Sequence, residues 1–371
     1  MPESLAFGDD HRSPLTGSVG AQESPSTSSL TTVPAGISGD GTPATTVPGV
    51  PRVNPDGPYS GFLGTIGIDD ELFGAPAAAP VAEPGTAPLT GLPGTVSSGP
   101  AVVVKVDNSS KARPQLGLNA ADIVVEEQVE GGITRLAAIF HTQTSVVGPV
   151  RSGRTTDISF INALGGPALV YSGANDVIDA LLLRQTTVQN YSAARSSGYW
   201  RDRSRRAPSN LFTDTASFDG SGSAPPAQFA YRATGSAPVN PAIDATAVAV
   251  TFPSTSVRWR WDGSSWLRTQ NGTAHVTDGG QQVAAANVVV AIVPEVLTGL
   301  VDSAGFPVPE YVFAGSGPVS VFTGGKRIDG TWTRPSLRSP AILVDGSGTV
   351  IELAPGRTWI ELVVAGGYSS S

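Results

Sequence analysis

From Ala247 to the C-terminus, short apolar runs are cut by glycine turns: Asp262-Gly263, GSGP at 315–318, GGKRIDG at 324–330, DGSG at 345–348 and APGR at 354–357. Glycine inside a helix costs about 1 kcal/mol relative to alanine. Runs this short, punctuated this often, leave strands and tight turns as the available structure. Val257–Trp261, VRWRW, alternates cleanly, turns at Asp262-Gly263, and runs back through Trp266–Thr269. Further short strands are expected at Val288–Val293, Tyr311–Phe313, Val319–Phe322, Thr331–Thr333, Ile342–Val344, Val350–Leu353 and Trp359–Val364. This is either a second domain or a sheet extension that returns to complete the first.

The part before it reads differently. Ala101–Val106, AVVVKV, is a continuous apolar run, the mark of a buried strand, and it ends in the polar turn Asp107-Asn108-Ser109-Ser110. Asp122–Val129 and Ile133–His141 bracket Gly131-Gly132 and predict a hairpin, with a short helix at Ala120-Ala121 before it. A helix is expected over 155–164, a buried strand at Ala168–Tyr171, and a helix over 176–184. Residues 190–235 read as irregular. The expected fold class is α+β: a mixed α/β N-terminal domain at 88–235 and a mostly antiparallel β domain at 236–371.

Residues 1–87 are rich in Pro, Gly, Ser and Thr, with sparse, aperiodic apolar positions. Such a chain cannot bury enough surface to offset about 1–2 kcal/mol of backbone entropy per residue, so a disordered linker or stalk is expected. Gly61–Phe73, GFLGTIGIDDELF, is its one candidate docking segment. Residues 1–95 carry 2 basic and 10 acidic side chains, and residues 96–371 carry 21 of each. The net charge of −8 therefore belongs to the tail. A folded part without basic excess argues against a sequence-blind nucleic-acid binder.

There is no cysteine, so disulfides, thiolate nucleophiles and cysteine-bound metals are excluded. The three histidines, His11, His141 and His275, are far apart, and no metal site or cofactor is expected. His275 sits in a turn-rich loop without an evident partner. No apolar run is long enough to span a membrane, and the N-terminus has neither the basic nor the apolar region of a signal peptide. Nucleophile motifs, phosphate-binding loops and dinucleotide fingerprints are missing.

One stretch concentrates binding groups: Gly148–Phe160, GPVRSGRTTDISF, with Arg151 and Arg154, two glycines and several hydroxyls ahead of a helix. Mobile backbone, fixed positive charge and a helix start make an anion site. If the segment is helical, a three-residue spacing brings both guanidiniums to one side. The competing reading is an ion network in which the arginines pair with Glu127 and Glu130 of the hairpin. Asp107, Asn108, Arg113, Arg135 and Asn175 complete the candidate ligand-binding set, and no catalytic residue is assigned. Glu126 and Glu127, adjacent on a strand, must face opposite ways. Trp200 with Arg201, Arg203, Arg205 and Arg206 reads as a solvated loop offset by Asp202 and Asp214. The remaining tryptophans, Trp259, Trp261, Trp266, Trp332 and Trp359, read as packing.

In order, PLTGLPG, KVDN, ARPQ, ADIVVEEQVEGGITRLAAIF, GPVRSGRTTD and YSGAN resemble the N-terminal part of the YerB-like family of bacterial envelope lipoproteins. RWRWDGSSWLRTQNG, AAANVVV, GSGPVSVF, GGKRIDGTWTR and LAPGRTWIELV resemble its C-terminal part. The resemblance spans residues 88–365. It implies an extracytoplasmic, membrane-associated protein of unknown activity, on a flexible stalk, held by a lipid on an N-terminal cysteine. This chain shows no such cysteine, which places any anchor with a start codon upstream. Ser209 of APSNLF stands where the resemblance leads one to expect histidine. Two functional expectations follow: a protein binding a cell-wall polymer or an envelope partner through the arginine/carboxylate cleft, or a phosphotransferase or hydrolase on pyrophosphate-linked glycopolymers using Asp107 or Glu127. A purely structural scaffold is the third.

Overall fold

The computed structural model describes residues 61–62, 77–94, 97–185, 187–218, 220–302 and 304–371. All of them fall within one compact unit, Gly49–Ser371. The expected stalk up to residue 60, and all but Gly61 and Phe62 of the expected docking segment, lie outside the described residues. Among the described residues the protein is mostly β, with 41% strand against 11% helix, so the helices do not form a layer equal to the sheet.

The strands that position the site are β1 (Val102–Asp107), β2 (Ile123–Gln128), β3 (Thr134–Phe140), β4 (Ala168–Tyr171) and β5 (Gln189–Ser192). After them come β6 (Ala247–Phe252), β7 (Thr255–Trp261), β8 (Trp266–Gln270), β9 (Asn287–Ile292), β10 (Glu295–Val301) and β11 (Pro307–Tyr311). The last are β12 (Gly315–Thr323), β13 (Lys326–Arg334), β14 (Ile342–Asp345), β15 (Thr358–Val363) and β16 (Tyr368–Ser370). Two α-helices of the described residues bear on the site: α1 (Thr155–Ile161), continued by a 3-10 turn over Asn162–Leu164, and α2 (Asp176–Leu183).

One 11-stranded sheet has the order β14-β13-β12-β9-β15-β2-β3-β1-β4-β5, with Ile243–Asp244 also paired to β13. Strands from both sides of residue 235 therefore share one sheet. The join is β15, which runs parallel to both β9 and β2. The β2–β3 hairpin forms as the glycine pair predicts. It turns through Glu130–Gly132, where Gly131 and Gly132 take φ of 72° and 70°. The segment expected to be irregular contains β5 and two further short strands, Tyr199–Arg201 and Leu211–Asp214.

β6, β7, β8 and β16 form a smaller antiparallel sheet. β7 and β8 pair with Trp261 opposite Trp266. Trp259, Trp266, Trp332 and Trp359 are all buried in the core, as packing residues should be. The smaller sheet is tied to the large one through side chains: Trp259 Nε1 donates to Glu361 of β15, and Arg268 of β8 reaches Glu126 of β2. β10 and β11 form a separate two-stranded ribbon.

Candidate functional site

The site is built where β1 and β4 end and β3 begins. Asp107 is the last residue of β1, and its Cα partner across the ladder is Arg135 of β3. The segment 148–154 crosses the ends of β1 and β4. Asp107 N–H donates to the Pro149 carbonyl, Arg151 N–H to the Lys105 carbonyl, and Ser172 N–H to the Arg151 carbonyl. Gly148 permits the crossing: its φ is 152°, and a Cβ there would come within 2.7 Å of the Phe212 ring. Parallel strand ends of this kind are where open sheets hold ligands.

Arg151 and Arg154 do not share a helix face, because the helix starts at Thr155. Arg154 is the residue before it, and its N–H donates to Asp157 Oδ2 at 2.8 Å. The two guanidiniums nonetheless reach one cavity. It measures about 520 Å³ and is lined by Glu130, Ile133, Arg135, Arg151, Ser152, Arg154, Asn175, Ile178, Val301, Asp302 and Val308. Five of the nine candidates thus meet on one wall: Glu130, Arg135, Arg151, Arg154 and Asn175. Arg154 pairs with Glu130 at 2.6 Å, as the ion-network reading expects, while Arg151 leans on Asp107 at 3.4 Å and keeps 29% of its side chain exposed.

Arg135 is buried, 3.5 Å from Asp107. Burial, with Arg154 and then Arg151 close by, pushes its pKa down to about 10, against the pull of Asp107 and Glu130. It stays charged at neutral pH, but in a local surplus of positive charge. The Nε atoms of Arg135, Arg151 and Arg154 are all buried without a hydrogen-bond partner among the described residues. Donors left without a hydrogen bond inside a protein are costly, although the Arg151 Nε keeps its 3.4 Å approach to Asp107.

Asp107 lies beneath this wall. Burial pushes its carboxyl up, but Arg135, the Ser109 N–H, the Ser209 hydroxyl and Arg151 together bring it below its usual value. Ser209 Oγ donates to Asp107 Oδ2 at 2.8 Å, so the residue standing in for the expected histidine contacts this carboxylate directly. Asn175 caps α2, accepting from the Val177 N–H.

The other candidates belong to two sealed clusters, one on each face of β2. Glu127 is bound to Lys105, which also binds Asp157, each at 2.5 Å and all three fully buried. Burial drives the Glu127 carboxyl upward, with Lys105 opposing and Asp157 adding to it. Glu127 is therefore Lys105's partner and not a partner of Arg151 or Arg154. On the opposite face, Glu126 binds Arg268 at 2.5 Å and accepts from Asn108 and Thr134. The Arg113 pKa is lowered by burial and by Arg268, with Glu126 opposing, which puts Arg113 beside this cluster.

His275 also sits there, with a partner the sequence did not suggest. Its Nε2 meets Gln115 Oε1 at 2.8 Å, and its Nδ1 meets Arg268. Lys105, Asp157, Arg268 and Gln115 were not singled out from the sequence. For Lys105 a signal existed: a lysine inside a continuous apolar strand must bring its own counter-charge.

The stretch around Trp200 meets its expected reading only in part: Tyr199–Arg201 is a strand, and among the described residues Asp202 but not Asp214 pairs with one of its arginines. Asp202 and Arg205 pair at 3.4 Å, and Arg205 also donates to the Pro114 carbonyl.

Fold and site define a mostly β protein with an arginine-walled cavity at the ends of its central strands. The sequence matches the N-terminal domain of the family described as "Protein of unknown function (DUF3048)" over residues 89–227 and its C-terminal domain over residues 248–360. The chain belongs to that family. It is 28% identical over 306 residues to the "Putative lipoprotein YerB" of Bacillus subtilis (strain 168), covering 75% of this chain and 86% of the relative. The crystal structure of the Bacillus subtilis YerB protein superimposes with a TM-score of 0.64 at 25% identity, covering 77% of this chain and 99% of that one. No helix among the described residues is long and apolar enough to cross a membrane.

Proposed function

We propose that the chain is a binding protein of the bacterial cell envelope that holds an anionic group in the Arg135–Arg151–Arg154 cavity. The ligand is an anionic envelope molecule bearing phosphate or carboxylate, or a partner that presents such a group. The carrying observation is the convergence of three arginines, Arg135, Arg151 and Arg154, on the lining of one cavity. Guanidinium forks match phosphate and carboxylate geometry, and Arg151, the most open of the three, is the natural first contact. Envelope association is supported by the relative named a lipoprotein. In this reading residues 88–235 are the mixed α/β part, since α1 and α2 fall there, and residues 236–371 complete their sheet. Glu127 is ion-paired to Lys105 and Asp107 is held by arginines and Ser209, which favours binding over a base-catalysed reaction.

Calorimetric titration with inorganic pyrophosphate tests the proposal. The wild-type chain is expected to bind, and Arg151→Ala to lose about 1.5–3 kcal/mol, the worth of a charged hydrogen bond. Its melting temperature should stay within a few degrees, as for an exposed ion pair. Equal binding by both proteins, or none by either, sinks the idea.

A further inference from the structure

The cavity has a second wall that an inorganic anion leaves unused. It comes from the ribbon of β10 and β11. The ribbon is rooted at the base of the site: Tyr311 N–H donates to Thr156 Oγ1, Tyr311 Oη to Gln128 Oε1, and Gln128 Nε2 to Glu295. Beyond that root, Val301, Asp302 and Val308 line the same cavity as the arginines. The ribbon carries three large apolar side chains, each more than half exposed: Val301 at 56%, which lines the cavity, Phe306 at 51% near the turn, and Leu297 at 59% nearer the root. Val301 pairs with Pro307, which follows Phe306, while Leu297 pairs with Pro309, and the register shifts between them.

Scattered single apolar residues on a surface need no explanation, but a group of three beside a charged cavity does. The acidic groups on the wall do not cancel the arginines evenly. Glu130 is taken by Arg154, and Asp302 accepts the N–H groups of Ala304 and Phe306 within its own turn. Arg151 has only a 3.4 Å approach to Asp107 and keeps 29% of its side chain exposed, which leaves its guanidinium the most open on the wall. A molecule that satisfies both walls carries an anionic head and an apolar chain, joined directly.

We infer that the ligand of this cavity is a phosphate-headed lipid, its phosphate on Arg135, Arg151 and Arg154 and its chain along Leu297, Val301 and Phe306. The inference rests on reading the cavity as an anion site, and it narrows the ligand to an amphiphile. Shared burial of headgroup and chain explains why the arginines and the exposed ribbon occur side by side. Neither a free phosphate nor a second copy of this chain calls for both.

The test is co-sedimentation of the full chain with vesicles of phosphatidylcholine, with or without phosphatidylglycerol, beside calorimetry with soluble pyrophosphate. Wild type is expected to sediment with phosphatidylglycerol vesicles only. Arg151→Ala is expected to lose about tenfold or more in both assays. The triple variant Leu297→Ser, Val301→Ser, Phe306→Ser should lose vesicle binding about tenfold while keeping pyrophosphate binding, which also shows that it is folded. If pyrophosphate binds but vesicles do not, or if the ribbon variant sediments like wild type, the lipid assignment fails and the anion site stands. A ribbon variant that turns a dimer into a monomer in ultracentrifugation assigns the ribbon to a second copy and overturns the inference. Failure of pyrophosphate binding in wild type removes both readings.

Discussion

Two arginine clusters sit on the same sheet, and they differ in what lies over them. Arg268 is fully buried beneath the smaller sheet, bound to Glu126, Gln270 and His275. Its guanidinium carbon lies 5.9 Å from the Trp259 ring and 4.9 Å from the Trp359 ring. Arg151 and Arg154 also have carboxylate partners, but a cavity of about 520 Å³ opens in front of them. The residue chemistry is nearly the same. What turns one cluster into a structural node and leaves the other open to a ligand is cover, and cover is decided by elements far away in sequence. Stability should therefore depend on the first cluster and ligand binding on the second.

The largest effect is expected at Arg268. Arg268→Met removes the counter-charge from Glu126 in the dry space between the sheets. Breaking a buried pair by deleting one partner costs about 3–5 kcal/mol. Urea unfolding of the variant, read as a two-state transition, should show a loss of that size. A loss below about 1 kcal/mol would mean that the sealed cluster does not hold the sheets together, and the contrast with the open cluster would collapse.

A smaller effect, with a direction set by proton linkage, is expected at His275. Burial, then the charges of Arg268 and Arg113, hold its pKa well below the usual 6.5. The unfolded chain therefore takes up a proton as pH falls below about 6.5 while the folded chain does not. Stability from this group is present above pH 6.5 and is lost on acidification, at up to about 1.4 kcal/mol per pH unit. Glu127 contributes in the opposite direction. Its raised folded pKa means that the folded chain holds the extra proton, so its contribution is lost as pH rises above 4.5. The difference between wild type and His275→Gln isolates the histidine. The variant's stability should fall less between pH 7 and pH 5, and parallel curves would show His275 titrating normally.

The parts of this comparison that could be read from the sequence are the local ones. The run AVVVKV, the hairpin around Gly131-Gly132 and the helix starting at Thr155 all form where pattern and turn chemistry put them. Arg151, Arg154, Glu130 and Asn175 share a cavity because β3, β1 and β4 lie side by side in the sheet and the segments at one end of them meet. The alternation that sends Glu126 and Glu127 to opposite faces is equally local, and their different partners bear it out. What was hidden is long-range. β15 inserts between β2 and β9, and nothing in TWIELV names those neighbours. Arg268 meets Glu126 from 142 residues away, and His275 meets Gln115 from 160. Pairing Arg151 with Glu127 went wrong because Lys105, in the adjoining part of the sheet, already held that carboxylate.

The smallest effect on stability gives the finest test of the contrast: the same conservative exchange in both clusters. Lysine keeps the charge of arginine but replaces its planar fork with a single ammonium. At Arg151, which has 29% of its side chain exposed and a 3.4 Å approach to Asp107, Arg151→Lys should change stability by no more than about 0.5 kcal/mol. It should still weaken pyrophosphate binding severalfold, because one ammonium cannot donate two parallel bonds to a phosphate. At Arg268 the fork joins Glu126, Gln270 and His275 at once, and an ammonium cannot reach all three. Arg268→Lys should therefore destabilise by more than about 1 kcal/mol, as a buried acceptor is left unmet, and leave pyrophosphate binding unchanged. If the two exchanges have interchangeable effects on melting temperature and on binding, cover is not what separates the clusters.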